Sequence, residues 1–431
     1  MQYGRPEGTF DILPPIPAGR NEQRPYVNDI RHWLSVENTF RMVCHRYGFT
    51  ELRTPVFEST ALFHRAVGDG TDIVSKETYD LVTRGGDKLT LRPEGTAGAI
   101  RAYVSDRMWN ARPVAKLLYL GPNFRYERSQ RGRYRQHHQA GVEVLGSDDP
   151  SVDAEVIDLA CNFYRELGIT NLTVKVNSVG TVSCRSAYLD ALKRYAEPLL
   201  QHMSPDNNRR FNENPLRMLD SKVVSDIEIM SGAPKLVDYL DADSASHFTQ
   251  VLAYLDLLNV PFEIDHRLVR GFDYYTKTAF EIQTPILGDK ALGGGGRYNQ
   301  LVEALGGPHT PGIGFGLGIE RLLITLEELG LNPSVQSTID AYLCPIGADA
   351  RTYCVPLLKT LRSAGLAVDM DYLSRRLKTM FEHADGAGAT YAIIVGETEV
   401  EAQTVTVRRM ENAQQQSVPV TELIHFLQTS K

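Results

Sequence analysis

The sequence predicts an α+β protein: an antiparallel sheet flanked by helices, a helical insertion within it, and a separate α/β domain at the end of the chain. Three observations carry this. Two strand-like runs, 116–126 and 135–145, are joined by a polar loop, and strand–loop–strand order makes an antiparallel pair. Residues from about 184 to 260 turn helical between two β-rich parts. Beyond residue 336, strands and helices alternate. The predicted boundaries are 1–330 for the first domain, with 184–260 inserted in it, and 336–431 for the second.

Composition limits what such a chain does. Of 431 residues, 42% are hydrophobic and 23% charged, enough to bury a sizeable core. The 46 Lys and Arg against 53 Asp and Glu leave a net charge of −7. That excludes a uniformly basic coat, so any nucleic-acid contact is a local patch. No apolar run approaches the ~18 residues of a membrane span. The opening residues 1–8 lack a signal peptide's apolar stretch, so a cytoplasmic location is expected. Five scattered cysteines without a C-x-x-C pair point to reduced, packed thiols and to no protein zinc site.

The elements follow in order. Residues 23–47 carry apolar positions near helical spacing and end at Gly48, a suitable C-terminal cap. Residues 52–57 read as a short strand that Pro55 confines to an edge or bulge. The hairpin 116–145 comes next, then a helix over 151–168 and a short strand over 172–176. In the insertion, Tyr188, Leu189, Leu192, Tyr195 and Leu199 mark one apolar face. Strands resume at 262–268 and 274–282. The run Gly293–Tyr298 reads as a mobile loop in preference to a phosphate cradle. Residues 312–318 alternate glycine with Ile313, Phe315 and Leu317, a strand with one bare face, and a helix follows from Ile319. After a linker at 330–334 come a strand (339–346), a helix ending near Gly365, a strand (367–370), a helix (374–384) and a strand (391–395).

The chemistry concentrates in a few places. Residues 125–135 hold Arg125, Arg128, Arg131, Arg133 and Arg135 against one acid, Glu127, a net +4 in eleven residues. Arginine forks match phosphate oxygens, although such a run also serves simply as a solvated hairpin tip. Alternation puts Arg125 and Glu127 on one face, and Gln139, Gly141 and Glu143 on one face of the next strand. A carboxylate there needs a partner, either a ligand or a backbone N–H or arginine. The glycine strip 312–318 lets a flat ring or phosphate chain lie on the backbone, or lets another element pack closely. Arg321 opens the following helix against the macrodipole, which suits a bound anion. In Leu91–Thr96, Glu94 and Thr96 sit at a turn before a helix, as site residues or as caps. In Arg270-Gly271-Phe272-Asp273-Tyr274-Tyr275, alternation lets at most one tyrosine enter a given pocket unless the chain bulges.

These residues resemble a known family. Phe124–Arg128 with Arg133–Gln136 resembles motif 2 of class II aminoacyl-tRNA synthetases, Gly314–Arg321 resembles motif 3, and the Pro55 region is similar to the dimer-forming motif 1. Arg270–Tyr275, Leu91–Thr96 and Asn214–Lys222 resemble signatures of the histidyl-tRNA synthetase family, and the resemblance spans essentially the whole chain. It implies the class II antiparallel sheet, six-stranded, with helices around it, an insertion that meets the acceptor arm of tRNA, a C-terminal anticodon-binding domain and a homodimer. It implies ATP-dependent activation of L-histidine to histidyl-adenylate and transfer to the 3′ end of histidine tRNA, with Mg2+ accompanying ATP.

Residue by residue, the resemblance implies that Glu94, Thr96 and Gln139 hold the α-amino group, with Gly95 between the first two. Glu143 and a hydroxyl of Tyr274 or Tyr275 read the imidazole. Arg125 binds the histidine carboxylate and the α-phosphate, Glu127 reads adenine, and Arg133 and Arg321 clamp the outer phosphates. Arg270 lies beside the α-phosphate, so that Arg270 and Arg125 are the catalytic residues. Two positions depart from the family pattern: His137 replaces the phenylalanine expected to stack on adenine, and Asn299 replaces an aspartate. The C-terminal domain carries nine basic against eleven acidic residues from 340 onward, so Arg375, Arg376 and Lys378 are its candidate RNA contacts. The alternative function is a histidine-sensing regulatory subunit of the first enzyme of histidine biosynthesis. Such chains usually lack the C-terminal domain and drift in the ATP-binding arginines, whereas this sequence keeps both.

Overall fold

The computed structural model describes residues 3–14, 24–68, 71, 73–269, 274–287, 291–333 and 339–429. The chain divides into two compact units, residues 1–11 with 32–333, and residues 12–31 with 334–431.

The first unit is built on an eight-stranded sheet, in the order β1 (Thr50–Glu51), β5 (Ala115–Phe124), β6 (Gln136–Leu145), β11 (Gly312–Gly318), β10 (Ala291–Arg297), β9 (Thr276–Gln283), β7 (Thr173–Ser178) and β8 (Phe262–Ile264). The six inner strands pair antiparallel, and the two short outer strands pair parallel. A separate three-stranded antiparallel sheet joins β2 (Phe57–Ser59), β4 (Lys88–Leu91) and β3 (Tyr79–Val82). Pro55 therefore lies between β1 and β2 and not inside a strand, where its missing N–H would break a ladder.

The run Gly293–Gly296 is no mobile loop. It forms the body of β10, in register with β11 from Gly293↔Leu317 to Arg297↔Ile313. A Cβ at Gly295 would collide with the Gly314 carbonyl and Phe315, so the glycines permit a close approach of two central strands.

Helix Pro150–Glu166 backs the sheet. Asp149 caps it, accepting from Ser151 N at 2.8 Å, and the chain turns away at Gly168 with φ +87°. Its buried residues cover more than one face, because helix Ala242–Leu257 packs along its other side. The helical stretch that begins at Val182 thus has two parts. Its own small core holds Tyr188, Leu192, Met203, Met218, Met230 and Leu236, while helix Ala242–Leu257 belongs to the layer behind the sheet.

The second unit is a mixed sheet in the order β13 (Val368–Met370), β12 (Ile339–Pro345), β14 (Ala389–Val395), β15 (Thr404–Arg409), β16 (Gln415–Pro419). Helices Ala348–Ser363, Leu377–Gly386 and Leu423–Thr429 bury apolar residues in its two clusters. The sequence reading stopped at residue 395 and missed β15 and β16, although Thr404–Arg409 alternates polar with valine as a half-buried strand does.

Candidate active site

The center of the first sheet carries a cavity. Along β6, Gln139, Gly141 and Glu143 share a face and lie opposite Gly318, Gly316 and Gly314 of β11. The absent side chains of β11 make the room: a Cβ at Gly314 would collide with the Glu143 carboxylate. Glu143 is 1% exposed. Its Oε1 accepts from the Tyr119 hydroxyl at 3.0 Å and its Oε2 from the Tyr298 hydroxyl. Burial pushes its carboxyl up to about 8; the hydroxyls of Tyr298, Thr96 and Tyr119 pull it down, and the nearby Glu94 charge pushes it up. Among the described residues, hydroxyls rather than a backbone N–H or an arginine hold this carboxylate, and with burial they make it a poised acceptor.

Glu94, Thr96, Tyr119, Gln139, Glu143, Tyr274, Tyr275 and Tyr298 line the cavity, which encloses about 60 Å³. That space is of the order of an amino-acid side chain. Glu94 is buried and accepts from Thr96 N at 2.6 Å and Ala97 N at 2.8 Å. It therefore satisfies the first N–H groups of helix Thr96–Ser105 while lining the cavity. Burial raises its carboxyl, and those N–H groups and Arg125 oppose the rise. Gln139 Oε1 accepts from Asn123 Nδ2 at 2.6 Å. Gly95 does not line the cavity; its bare Cα abuts the Tyr119 ring, with which a Cβ would collide.

Both tyrosines reach the cavity, against the expectation from alternation. Tyr274 and Tyr275 precede β9, their ring centroids are 4.7 Å apart, and the β9–β10 register shifts beside them. The two residues lie before the extended backbone begins at Thr276, so strand alternation does not govern them, and Lys277 follows in that shift with φ +49°. Arg270 and the following residues to Asp273 lie outside the described residues.

The arginines gather beside this cavity. Arg125 Nε donates to Pro93 O at 2.8 Å, next to Glu94, and its Nη1 stands 3.9 Å from Glu127. Glu127 also faces Arg133 at 3.5 Å. Arg321 donates to Ala291 O at 2.7 Å, and burial and the Arg133 charge lower it while Glu127 opposes. The His137 ring is pushed down to about 3, first by burial and then by Arg125, His138 and Arg321, so it is neutral. Arg125, Glu127, Arg133, His137 and Arg321 thus form one interacting cluster, and Arg125 acts on Glu94 as well. The other hairpin arginines divide: Arg131 pairs with Glu328 at 2.9 Å, and Arg135 pairs with Glu7 and stacks 4.4 Å above the Tyr126 ring.

Sequence reasoning missed three groups. Tyr119 and Tyr298 hold Glu143, and Glu320 is buried, accepting from His138 N at 2.8 Å and facing its ring Nδ1 at 2.9 Å. A signal existed for Tyr119, which pairs with Gly141 in the hairpin register. In the second unit, Arg375 is committed to buried Asp371 at 2.7 Å and to His383, so the basic patch expected there reduces to exposed Arg376 and Lys378.

No helix among the described residues is long and apolar enough to cross a membrane. Residues 26–322 match the family described as histidyl-tRNA synthetase, and residues 340–430 match an anticodon binding domain. The chain is 46% identical to proteins named histidine–tRNA ligase from Lysinibacillus sphaericus, over 99% of both chains, and from Geobacillus thermodenitrificans, over 99% of this chain and 98% of that one. It also resembles the crystal structure of apo S. aureus histidyl-tRNA synthetase, with TM-score 0.80 and 36% identity over 99% of this chain and 100% of that one.

Proposed function

The chain belongs to the histidyl-tRNA synthetase family, and on that premise we propose how its residues carry out the family's reaction. The protein is a histidine–tRNA ligase: it activates L-histidine with ATP and transfers it to the 3′ end of histidine tRNA. One observation carries the assignment of the site. A buried carboxyl, Glu143, ends a cavity of amino-acid size that opens beside a cluster of three arginines.

Adenylate formation needs no protein nucleophile. The histidine carboxylate attacks the α-phosphorus, the bond to the bridging oxygen breaks, and pyrophosphate leaves with the electron pair. The protein supplies orientation and cations where negative charge develops. Glu143 takes the imidazole N–H, with the hydroxyls of Tyr274 and Tyr275 close by. A site built on such groups rejects analogues that leave them unpaired by up to ~10⁴–10⁵. Glu94 and Gln139 keep free lone pairs and Thr96 its hydroxyl for the α-amino group. Arg125 spans both regions: it binds the histidine carboxylate and α-phosphate as a catalytic residue, with Arg270 as its partner in that role. Arg133 and Arg321 hold the outer phosphates. Glu127 reads the adenine amino group, and the neutral His137 ring stacks on the base. Gly318 leaves the backbone bare there.

Magnesium is expected with the triphosphate. It prefers phosphate oxygens, water and one or two carboxylates, and Glu281, whose charge acts on Arg321, is a carboxylate of that kind. In the second step the tRNA hydroxyl attacks the histidyl carbonyl and AMP leaves. The anticodon-binding unit docks the tRNA. The protein works in the cytoplasm as a homodimer; Val56, Phe57, Leu81 and Val82 expose apolar surface on and beside the three-stranded sheet, as an uncovered interface does.

The regulatory-subunit alternative is not favoured: full-length relatives at 46% identity are named ligases. The deciding experiment is pyrophosphate exchange into ATP, expected with histidine and with no other amino acid. Histidine binding without exchange would establish the sensor instead.

A further inference from the structure

Behind the cavity lies a charged network that the reaction does not use. Arg297, at the end of β10, is fully buried. Its Nε faces both carboxylate oxygens of buried Asp153 at 3.1 and 3.2 Å, Nη1 donates to Ser147 O at 2.8 Å and Asp148 Oδ1 at 3.2 Å, and Nη2 donates to Asp149 O and Asp153. Asn299 Nδ2 donates to the same Asp148 oxygen at 2.9 Å. The other Asp148 oxygen accepts from Lys277 Nζ at 2.9 Å, and Lys277 also meets Asp243.

Asp148 is therefore a hub. Its carboxyl is held below the usual range by Lys277, Asn299 and Arg297, although partial burial pushes it up. What it ties down lies on both sides of the cavity. Arg297 and Asn299 flank Tyr298, whose hydroxyl donates to Glu143. Lys277 holds the left-handed turn beside Tyr274 and Tyr275. Arg297 ends β10, and in the turn that follows Tyr298 reaches Glu143 while Asn299 returns to Asp148. Buried ion pairs seldom add net stability over apolar packing, so stability alone is a poor reason for this one. The Asn299 departure fits too: its amide donates to Asp148, which an aspartate would repel.

We propose that Asp148, outside the cavity, is a positioning residue for histidine recognition, setting Tyr298 through Arg297 and Asn299 and the Tyr274–Tyr275 turn through Lys277. The proposal rests on the cavity being the histidine site. Asp148 is exposed, so its replacement leaves the core intact.

The test is histidine-dependent pyrophosphate exchange with Asp148→Ala, Asp148→Asn and Tyr298→Phe. Asp148→Ala is expected to raise the histidine KM about five- to tenfold, leave the ATP KM within twofold, and shift the melting temperature little. Asp148→Asn, which keeps an acceptor for Asn299, recovers part of the loss. The double variant Asp148→Ala/Tyr298→Phe is expected to be less than the product of its parts, since both act through the Tyr298 hydroxyl. An unchanged histidine KM, equal rises in both KM values, or effects that simply multiply would each overturn the proposal. If Asp148→Ala melts early, Asn299→Ala gives the same reading. Wild-type protein without histidine-dependent exchange would overturn the histidine site itself, a separate failure.

Discussion

The two ends of β11 differ in what their glycines do. At Gly312 and Gly314 the missing side chains are filled from within, by the Tyr298 ring and the Glu143 carboxylate. Among the described residues, leaving aside its chain neighbours, none lies within 4 Å of where a Cβ would stand at Gly318, and at Gly316 only the Gln139 amide comes that close. One strand with one repeating residue thus packs tightly around a buried carboxyl at one end and leaves bare backbone at the other. A bare strip has no meaning until the facing side chains are known.

Four experiments break or sharpen this contrast. The largest loss is expected at the open end. Arg321→Ala removes a cation from the developing phosphate charge and should lower exchange turnover by ~10²–10³, comparable to losing one transition-state donor. Near-normal turnover would separate Arg321 from the triphosphate. At the closed end, Gly314→Ala drives a methyl into the Glu143 carboxylate and the Val142 carbonyl. A displacement of that kind should cost about 10²-fold in exchange at fixed histidine, with ATP binding retained. If ATP binding fell equally, the two ends would not be separate sites.

A third, smaller effect is in the pH profile. Free Glu143 loses its proton through about 8, surrounded by Glu94, Tyr119, Tyr274, Tyr275, Thr96 and Tyr298, while the histidine ring loses its own near ~6.5. Between those values the free pair carries one proton, the number that a shared imidazole–carboxylate bond needs. Exchange kcat/KM for histidine should therefore be flat between them. It should fall below ~6.5, where a proton must leave, and above about 8, where one must be regained. Glu143→Gln should abolish the upper limb. A profile still falling near pH 8 in that variant would assign the limb to another group. The mildest change is Gly318→Ala, at φ −89° and ψ 120°, a backbone any residue adopts. Its histidine KM should stay within about twofold, as for a substitution into open space, while the ATP KM rises. A histidine defect there would contradict the division of the strand.

The comparison also shows where sequence reasoning stops. The hairpin that carries Arg125, Glu127, Gln139 and Glu143 was legible because alternation and a polar loop are local properties. So were helix Pro150–Glu166, with its aspartate cap and terminal glycine, and the glycine strand with the helix after it. Four neighbouring glycines in β10 gave no local strand signal, since only the close approach of β11 makes that strand. Tyr274 and Tyr275 escaped alternation because they precede β9 and do not share its extended backbone.

By itself, then, the sequence determined the antiparallel hairpin, the arginine-rich loop and the order of motifs, since each is written in neighbours along the chain and in their spacing. Tertiary structure alone decided which arginines face the site and which are spent on Glu328 or Glu7. It alone decided that Glu143 is held by two tyrosines far apart in the chain, and that Asp148 ties three residues together. Those partners lie tens to more than a hundred positions apart, and a carboxyl's burial and charge environment exist only once the strands have been brought side by side.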